Sequence, residues 1–190
     1  RKQAMEKGDI GGNVRKYMVS RQVSRERIAE VLGYDDRKME RLFDGSHTPG
    51  VSDLLKLVTL LKTDIPALLY GKEYGEKKAI KTRPDERVKV IRKGTIDYEC
   101  LAPTYSGRKM EPLLVTIYRK DPEKVEVSRH EGQEFLFVTE GTLSIHVDGR
   151  EFILDTGDSL YFDSALLHSV NAITEKARLV ASIYKGESMV

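Results

Sequence analysis

The sequence predicts a two-domain α+β protein, in which an N-terminal bundle of short helices precedes a C-terminal all-β domain. Apolar residues recur at helical spacing over residues 10–69, whereas from Val88 onward apolar and polar residues alternate with the period of two that is typical of strands. The charged stretch 72–87 lies between the two patterns and has no sustained apolar face. A chain of 190 residues is long enough for two small domains but too short for three. The predicted domains are therefore 1–71 and 88–190, joined by a linker.

The composition is that of a soluble globular protein. Hydrophobic residues make up 39% of the chain and charged residues 33%, with 32 basic side chains against 30 acidic ones. Because no apolar run approaches the roughly 18 residues that a membrane-spanning helix needs, and the first residues lack a signal-peptide pattern, we expect a cytoplasmic protein with no membrane partner. The single cysteine, Cys100, excludes an internal disulfide and a cysteine-rich zinc site.

Polar residues and glycines divide the helical region into short helices. Ser24 is the predicted N-cap of a helix that Gly33 ends, and Asp35 or Asp36 caps the next one. Ser52 is expected to open a further, leucine-rich helix. The basic excess of this half of the chain would attract a polyanion, whereas residues 91–190 carry an acidic excess.

The helical segments carry a recognisable motif. Its residues are Ile10-Gly11, Val14-Arg15, 24–33, 39–45, Pro49 and 54–57. This pattern resembles the phage-repressor-like (Cro/cI, or XRE) helix-turn-helix domain, the lambda-repressor-like fold. The resemblance implies that Ala29 lets the two helices of the motif approach each other, that Gly33 forms the turn between them, and that the helix from Asp36 to Phe43 enters the DNA major groove.

The outer face of that second helix is charged. Helical spacing turns Met39 and Leu42 inward and leaves basic side chains outside, where they suit guanine edges or phosphates. The alternative is an ordinary solvated helix face. We expect this surface to bind duplex operator DNA, and we expect a homodimer because the mixed charges make one domain a modest binder. The predicted DNA-binding residues are Arg25, Arg37, Lys38, Glu40 and Arg41.

Segments rich in β-branched and aromatic residues predict the strands of the C-terminal domain. Asp148-Gly149 separates two of them as a hairpin turn that needs positive φ. Short strands at close spacing indicate a sandwich or a small barrel. The predicted strands lie at 114–118, 135–138, 143–147, 152–154, 160–162 and 179–184.

Two spaced motifs lie within this β region. The first consists of Ser128, His130, Glu134 and Gly141, and the second of Gly157, Asp163, Ala165, His168 and Asn171. In order and separation they resemble the two motifs of the cupin superfamily over residues 88–186, with a serine in place of the first histidine. The resemblance implies a double-stranded β-helix, that is, a jelly-roll barrel.

Three residues of these motifs are the predicted metal ligands. His130 and Glu134 share a face of an extended chain, and a barrel can bring His168 from another strand to the same place. Two imidazoles and one carboxylate form the ligand set of non-haem iron(II) oxygenases, so we expect a divalent metal (Fe, Zn, Ni or Mn). The alternative is a pocket in which these side chains only hydrogen-bond a ligand or each other. His146 is expected to face solvent. The further residues predicted to line a ligand pocket are Tyr98, Ser128, Phe137 and Tyr161.

A helix-turn-helix domain followed by a cupin domain resembles a group of bacterial one-component transcriptional regulators. The resemblance implies that a small-molecule effector in the barrel shifts the protein between arrangements that differ in DNA affinity. The alternative is a non-haem iron oxygenase resembling the hydroxypropylphosphonate epoxidases, which join the same two domains. A pure protein-interaction module explains neither motif. We therefore expect a ligand-sensing regulator rather than an enzyme, and we assign no catalytic residues.

Overall fold

The computed structural model of the protein describes residues 8–71, 77–92 and 95–184. The chain separates into two compact units, one formed by residues up to 81 together with 103–107, and the other by 82–102 and the residues from 108 onward. The predicted two-domain α+β class is confirmed. The first part of the predicted linker, residues 72–76, lies outside the described residues, and Pro84–Glu86 form a single 3₁₀ turn. Among the described residues, every helix is too short or too polar to cross a bilayer.

The N-terminal unit consists of short helices with polar caps. The described helices are α1 (Ile10–Arg21), α2 (Arg25–Leu32), α3 (Asp36–Phe43), α4 (Val51–Leu60) and α5 (Ile65–Tyr70). As predicted, the Ser24 side chain caps α2 by accepting from the Arg27 amide, and Asp35 caps α3 by accepting from the Lys38 amide. The prediction for Ser52 was wrong, because α4 begins at Val51 and its N-cap is a glycine.

Close backbone contact joins α1 to α3. A Cβ added to Gly11 would lie 2.2 Å from the carbonyl oxygen of Phe43 at the end of α3, so only glycine permits this approach. Next to it, the Arg15 guanidinium donates to the same carbonyl oxygen over 2.9 Å. The side chains of Met39 and Leu42 are fully buried on the inner face of α3, as predicted. These contacts fix the position of α3, whose other face stays at the surface.

The C-terminal unit is built from antiparallel strands. They are β1 (Val88–Val90), β2 (Ile96–Cys100), β3 (Met110–Tyr118), β4 (Val127–Ser128), β5 (Gln133–Glu140), β6 (Leu143–Val147), β7 (Arg150–Leu154), β8 (Ser159–Asp163), β9 (His168–Ala172) and β10 (Lys176–Tyr184). The predicted turn joins β6 to β7, with φ of 48° at Asp148 and 76° at Gly149. All six predicted strand segments lie within observed strands.

The strands form two sheets that enclose the core. A six-stranded sheet has the order β1-β2-β3-β10-β5-β8, and a four-stranded sheet has the order β4-β9-β6-β7. Along each long strand, buried and more exposed residues alternate, as expected for a barrel with a packed interior. Leu113, Ile117, Val138 and Ala177 are among the side chains that fill it.

Replacing Gly11 with alanine should destabilise the N-terminal unit. The added methyl group would push α1 away from the Phe43 backbone, which cannot move aside as a side chain can, and the loss should be about 1–3 kcal/mol. Thermal unfolding followed by circular dichroism measures it. Gly12→Ala is the comparison variant, because its Cβ would meet the carboxylate of Asp9, a side chain that can turn aside at the cost of its N-cap hydrogen bond to the Gly12 amide; a loss in this variant as large as that in G11A would contradict the explanation.

Candidate functional site: a His-Glu-His cluster and a helix-turn-helix surface

The two cupin-like motifs bring together three side chains of the types that ligate metals. Glu134 lies on β5 of the six-stranded sheet, His168 begins β9 of the four-stranded sheet, and His130 precedes β5. The six-stranded sheet thus supplies the carboxylate and the four-stranded sheet one imidazole. Because the cluster spans both sheets, the closure of the barrel determines its geometry.

The ligand atoms of the cluster lie within 4.8 Å of one another. Nε2 of His130 is 2.6 Å from Oε1 of Glu134, and Nε2 of His168 is 3.5 Å from the same oxygen. The two imidazole rings are nearly perpendicular, with centroids 5.5 Å apart. His130 and Glu134 are buried and His168 is half-buried, so the cluster has limited access to solvent.

Both histidines are oriented by backbone carbonyl groups. Nδ1 of His130 donates to the carbonyl oxygen of Glu131 over 3.2 Å, and Nδ1 of His168 donates to that of Leu166 over 2.9 Å. Both rings therefore turn Nε2 toward the carboxylate of Glu134, which leaves two imidazole nitrogens and one carboxylate converging on one place. The Nδ1–H···O=C pairing is typical of metal-ligating histidines. The donor set therefore fits a divalent metal.

Two neighbours complete the surroundings of the cluster. Ser128 pairs directly with His168 across β4 and β9, so its side chain lies on the same sheet face as the imidazole. Phe162 pairs with Glu134 across β8 and β5, and its ring centroid is 5.1 Å from that of His168. A serine hydroxyl and an aromatic face thus adjoin the ligands. Ser128 is one of the predicted pocket residues and adjoins the cluster, and Phe162, one of the aromatic residues of the predicted strand 160–162, adjoins it from the other sheet.

Three of the predicted pocket residues lie away from the cluster. Phe137 and Tyr161 are 40% and 62% exposed and point to the outer face of the six-stranded sheet, because Phe137 is an odd number of residues from Glu134 and Tyr161 precedes the inward Phe162. Their prediction as pocket residues was wrong. Tyr98 is buried, but strand pairing places it in the same row of the sheet as Val138 of β5. Val138 is four residues, or roughly 13 Å, from Glu134 along β5, so Tyr98 lies away from the cluster.

A buried ion pair in the same barrel was not predicted. Arg108 and Glu111 are joined through Nε and Nη2 at 2.9–3.1 Å, and their side chains are 5% and 0% exposed. Ile183 of β10 pairs with Glu111 on one side and with Glu134 on the other, so the two carboxylates share one row of the sheet. The inward period of β3 could have identified Glu111, because it precedes the buried Leu113 by two residues.

The helix-turn-helix surface is organised by one arginine. Arg25, the first residue of α2, donates to Asp36 over 2.7 Å and to Glu40 over 2.9 Å, both on α3. The hydrogen bond to Asp36 and the nearby carboxylate charges raise the pKa of Arg25. The predicted DNA contacts Arg25 and Glu40 are therefore paired with each other, and Arg25 braces α3 and offsets one of its two negative charges.

The remaining predicted DNA-binding residues lie on the outer face of α3. Arg37 and Arg41 are exposed, and the Lys38 ammonium lies 3.8 Å above the ring of Tyr34. The Tyr34 hydroxyl donates to Asp53 and lies 2.9 Å from Nε2 of His47. Tyr34, which lies in the turn between α2 and α3, thus connects the helix-turn-helix motif to α4 through its hydroxyl and contacts the Lys38 ammonium through its ring.

Comparison with known proteins defines the class of the C-terminal unit. Residues 116–183 match the cupin domain family, so this part of the chain is a cupin domain. The chain is 34% identical over 113 residues to (S)-2-hydroxypropylphosphonic acid epoxidase of Streptomyces wedmorensis, an alignment that covers 52% of this chain and 55% of that protein. The chain therefore matches about half the length of this curated relative.

Solved structures share the fold over nearly the whole chain. An HTH_3 family transcriptional regulator from Vibrio cholerae superposes with a TM-score of 0.71 at 18% identity, covering 95% of this chain and 97% of that one. The hydroxypropylphosphonic acid epoxidase of S. wedmorensis superposes with a TM-score of 0.53 at 22% identity, covering 96% and 100%. At these identities the similarity shows the fold alone, which is a helix-turn-helix bundle followed by a cupin barrel. This is the fold that the sequence predicted.

Removal of one cluster histidine should abolish tight metal binding. His168→Ala leaves two ligand side chains in place of three, and the affinity for Co²⁺ or Fe²⁺ should fall at least about 100-fold. Equilibrium dialysis with elemental analysis measures it. His146→Ala is the control, because His146 is exposed on the outer face of the four-stranded sheet; a wild-type protein that binds no more metal than H168A would contradict the assignment.

The buried ion pair should respond to mutation as a unit. Glu111→Leu leaves a buried guanidinium without its carboxylate and should cost about 3–5 kcal/mol in unfolding free energy. The double variant Arg108→Met with Glu111→Leu should recover most of this loss, because two apolar side chains need no desolvation of charge. Urea unfolding of the single and double variants tests the coupling, and additive losses would argue against it.

Proposed function

We propose that this protein is a sequence-specific, DNA-binding transcriptional regulator whose cupin barrel binds a small-molecule effector. The observation that carries the proposal is the charge arrangement on α3. Arg25 binds both Asp36 and Glu40 and offsets one of these two negative charges, so that the basic side chains Arg37, Lys38 and Arg41 outweigh the acidic charge that remains on α3.

The geometry of α3 suits major-groove binding. Its inner face is fixed by the buried Met39 and Leu42 and its end by the backbone contact at Gly11, so its outer face is presented by a rigid helix. In helix-turn-helix proteins the second helix lies in the major groove, and dimers bind two half-sites about one DNA turn apart. The whole-chain likeness in fold to the Vibrio cholerae transcriptional regulator supports the same use of α3, and two half-sites would require a homodimer.

The metal cluster supplies the proposed effector site. A divalent ion bound by His130, Glu134 and His168 would leave coordination positions open to an oxygen atom of the effector. The carbonyl groups of Glu131 and Leu166 hold both rings with Nε2 toward the site. Phe162 limits the access of water on one side, and the hydroxyl of Ser128 can bond a polar effector group. By linkage, an effector that changes DNA affinity must itself bind more tightly or more weakly by the same factor when DNA is present.

A second candidate function is a metal-dependent oxygenase. The 34% identity to the Streptomyces wedmorensis epoxidase, together with the His-Glu-His cluster, favours it. Incubation of the Fe²⁺-loaded protein with (S)-2-hydroxypropylphosphonic acid under air distinguishes the two functions. Turnover that H168A lacks would establish the enzyme, and binding without turnover would favour the regulator.

Two substitutions on α3 should weaken DNA binding. Arg41→Ala or Lys38→Ala removes one donor and should cost on the order of 1–3 kcal/mol if the contact is to a base, and less if it is to a phosphate. The operator is first selected from random duplexes, and affinities are then measured by fluorescence anisotropy at fixed salt. Arg150→Ala, an exposed arginine of the cupin unit, is the control and should bind as the wild type does. Failure of the selection to enrich any sequence would sink the regulator proposal.

A further inference from the structure

The outer face of the six-stranded sheet carries an apolar surface, which we call the outer apolar face. It comprises those outward residues of β3, β10, β5 and β8 that pair in three complete rows across the four strands. The outward residues of β3 and β10 beyond these rows, Thr116, Tyr118, Arg178 and Lys176, lie outside it and include two cations. Met110, Phe135, Phe137 and Tyr161 are 58%, 39%, 40% and 62% exposed. The rows are Met110-Tyr184-Gln133-Asp163, Pro112-Ser182-Phe135-Tyr161 and Leu114-Val180-Phe137-Ser159.

This face contains almost no charge. Of its twelve residues Asp163 alone is charged, in a chain in which charged residues make up 33%. Eight of the twelve are apolar or aromatic. Solvent-facing positions of an antiparallel sheet are ordinarily polar, and depletion of charge with enrichment in aromatic residues and methionine is the composition of an interface core.

The four-stranded sheet of the same unit provides an internal comparison. Its outward positions are Val127, Ser144, His146, Glu151, Ile153, Ser169 and Asn171, of which five are polar. Both sheets enclose the same core, so core packing does not explain the difference. The outer apolar face therefore has the composition of a covered surface.

The dimensions of the face suit a protein partner. Four strands spaced about 4.8 Å apart and three rows about 6.7 Å apart make a surface of roughly 20 Å by 20 Å. A standard specific interface buries about 800 Å² per partner, of which the outer apolar face would form the core. The charged outward residues of the adjoining β1 and β2, Lys89, Asp97 and Glu99, border it as a polar rim.

We infer that the outer apolar face is the homodimer interface, occupied by a second copy of this chain packed sheet against sheet. The charge distribution selects this occupant. Residues 91–190 carry an acidic excess, so two copies of the cupin unit repel each other over much of their surface. Within the outer apolar face each copy contributes a single carboxylate, that of Asp163, which lies at the end of one of the outer rows. Two copies can therefore meet about a two-fold axis with little repulsion between like charges. The inference rests on the proposed function in one respect, because a two-fold operator requires a dimer.

Charge placed within the face should separate the two copies. In Phe137→Glu a two-fold axis brings two new carboxylates into one apolar interface, and dimerisation of the full chain should weaken on the order of 100-fold. Tyr161→Glu, on the neighbouring strand, should act in the same direction. Sedimentation velocity over a concentration series without DNA gives the dimer dissociation constant, and thermal unfolding verifies that the variants are folded.

Ile153→Glu is the matched control. Ile153 is 54% exposed on the outer face of the four-stranded sheet, and its replacement should leave the dimer unchanged. The inference is overturned if the wild-type chain is a monomer at every concentration, or if F137E and Y161E dimerise as the wild type does. DNA selection is scored separately, so a dimer without operator affinity sinks the proposed function alone, and an operator-binding monomer sinks the interface alone.

Discussion

The two-residue period of β5 is the constraint on which the C-terminal unit depends. Its inward residues Glu134, Leu136 and Val138 supply the carboxylate of the His-Glu-His cluster and two core side chains, while its outward residues Phe135 and Phe137 lie on the outer apolar face. Because strand neighbours point to opposite faces, a slip of one residue would expose the carboxylate and bury the aromatic rings. β5 is held between β10 and β8, and pairing on both sides fixes its register. The position of the His-Glu-His cluster and the composition of the outer apolar face thus both follow from the register of one strand.

In the helical unit the corresponding constraint is the approach of α1 to α3. Gly11 lets the backbones touch at Phe43, and side-chain caps at Ser24 and Asp35 set where α2 and α3 begin. These local interactions position a helix of only eight residues, which is too short to be stable alone. The position of α3 therefore depends on these contacts rather than on the stability of the helix itself.

Much of this architecture could be predicted from the sequence, because periodicity reports which face of an element is buried. The helix and strand regions, the caps of α2 and α3 and the Asp148-Gly149 turn follow from local rules. The convergence of His130, Glu134 and His168 followed from motif spacing. Phe137 and Tyr161 were misplaced because aromatic residues were assumed to face inward, although their parity relative to Glu134 indicates the opposite.

Other features depend on contacts that sequence patterns do not encode. The pairing of Arg25 with Asp36 and Glu40 joins residues of two helices and becomes visible only when their relative position is known. The burial of Arg108 depends in the same way on the path of the chain before β3. Charged side chains near loops are usually solvated. Arg108 is an exception because it forms an ion pair with the buried carboxylate of Glu111 inside the barrel.

The brace formed by Arg25 also bears on how the ionic atmosphere of DNA would respond to this surface. Binding to a duplex is driven largely by the release of cations condensed on its phosphates, and each protein cation that replaces one contributes to the salt dependence. A guanidinium already held by two carboxylates displaces no condensed cation. In this respect α3 and its brace act as a surface of net charge +2, because the one guanidinium of Arg25 offsets one of the two carboxylates that lie among the three cations of α3.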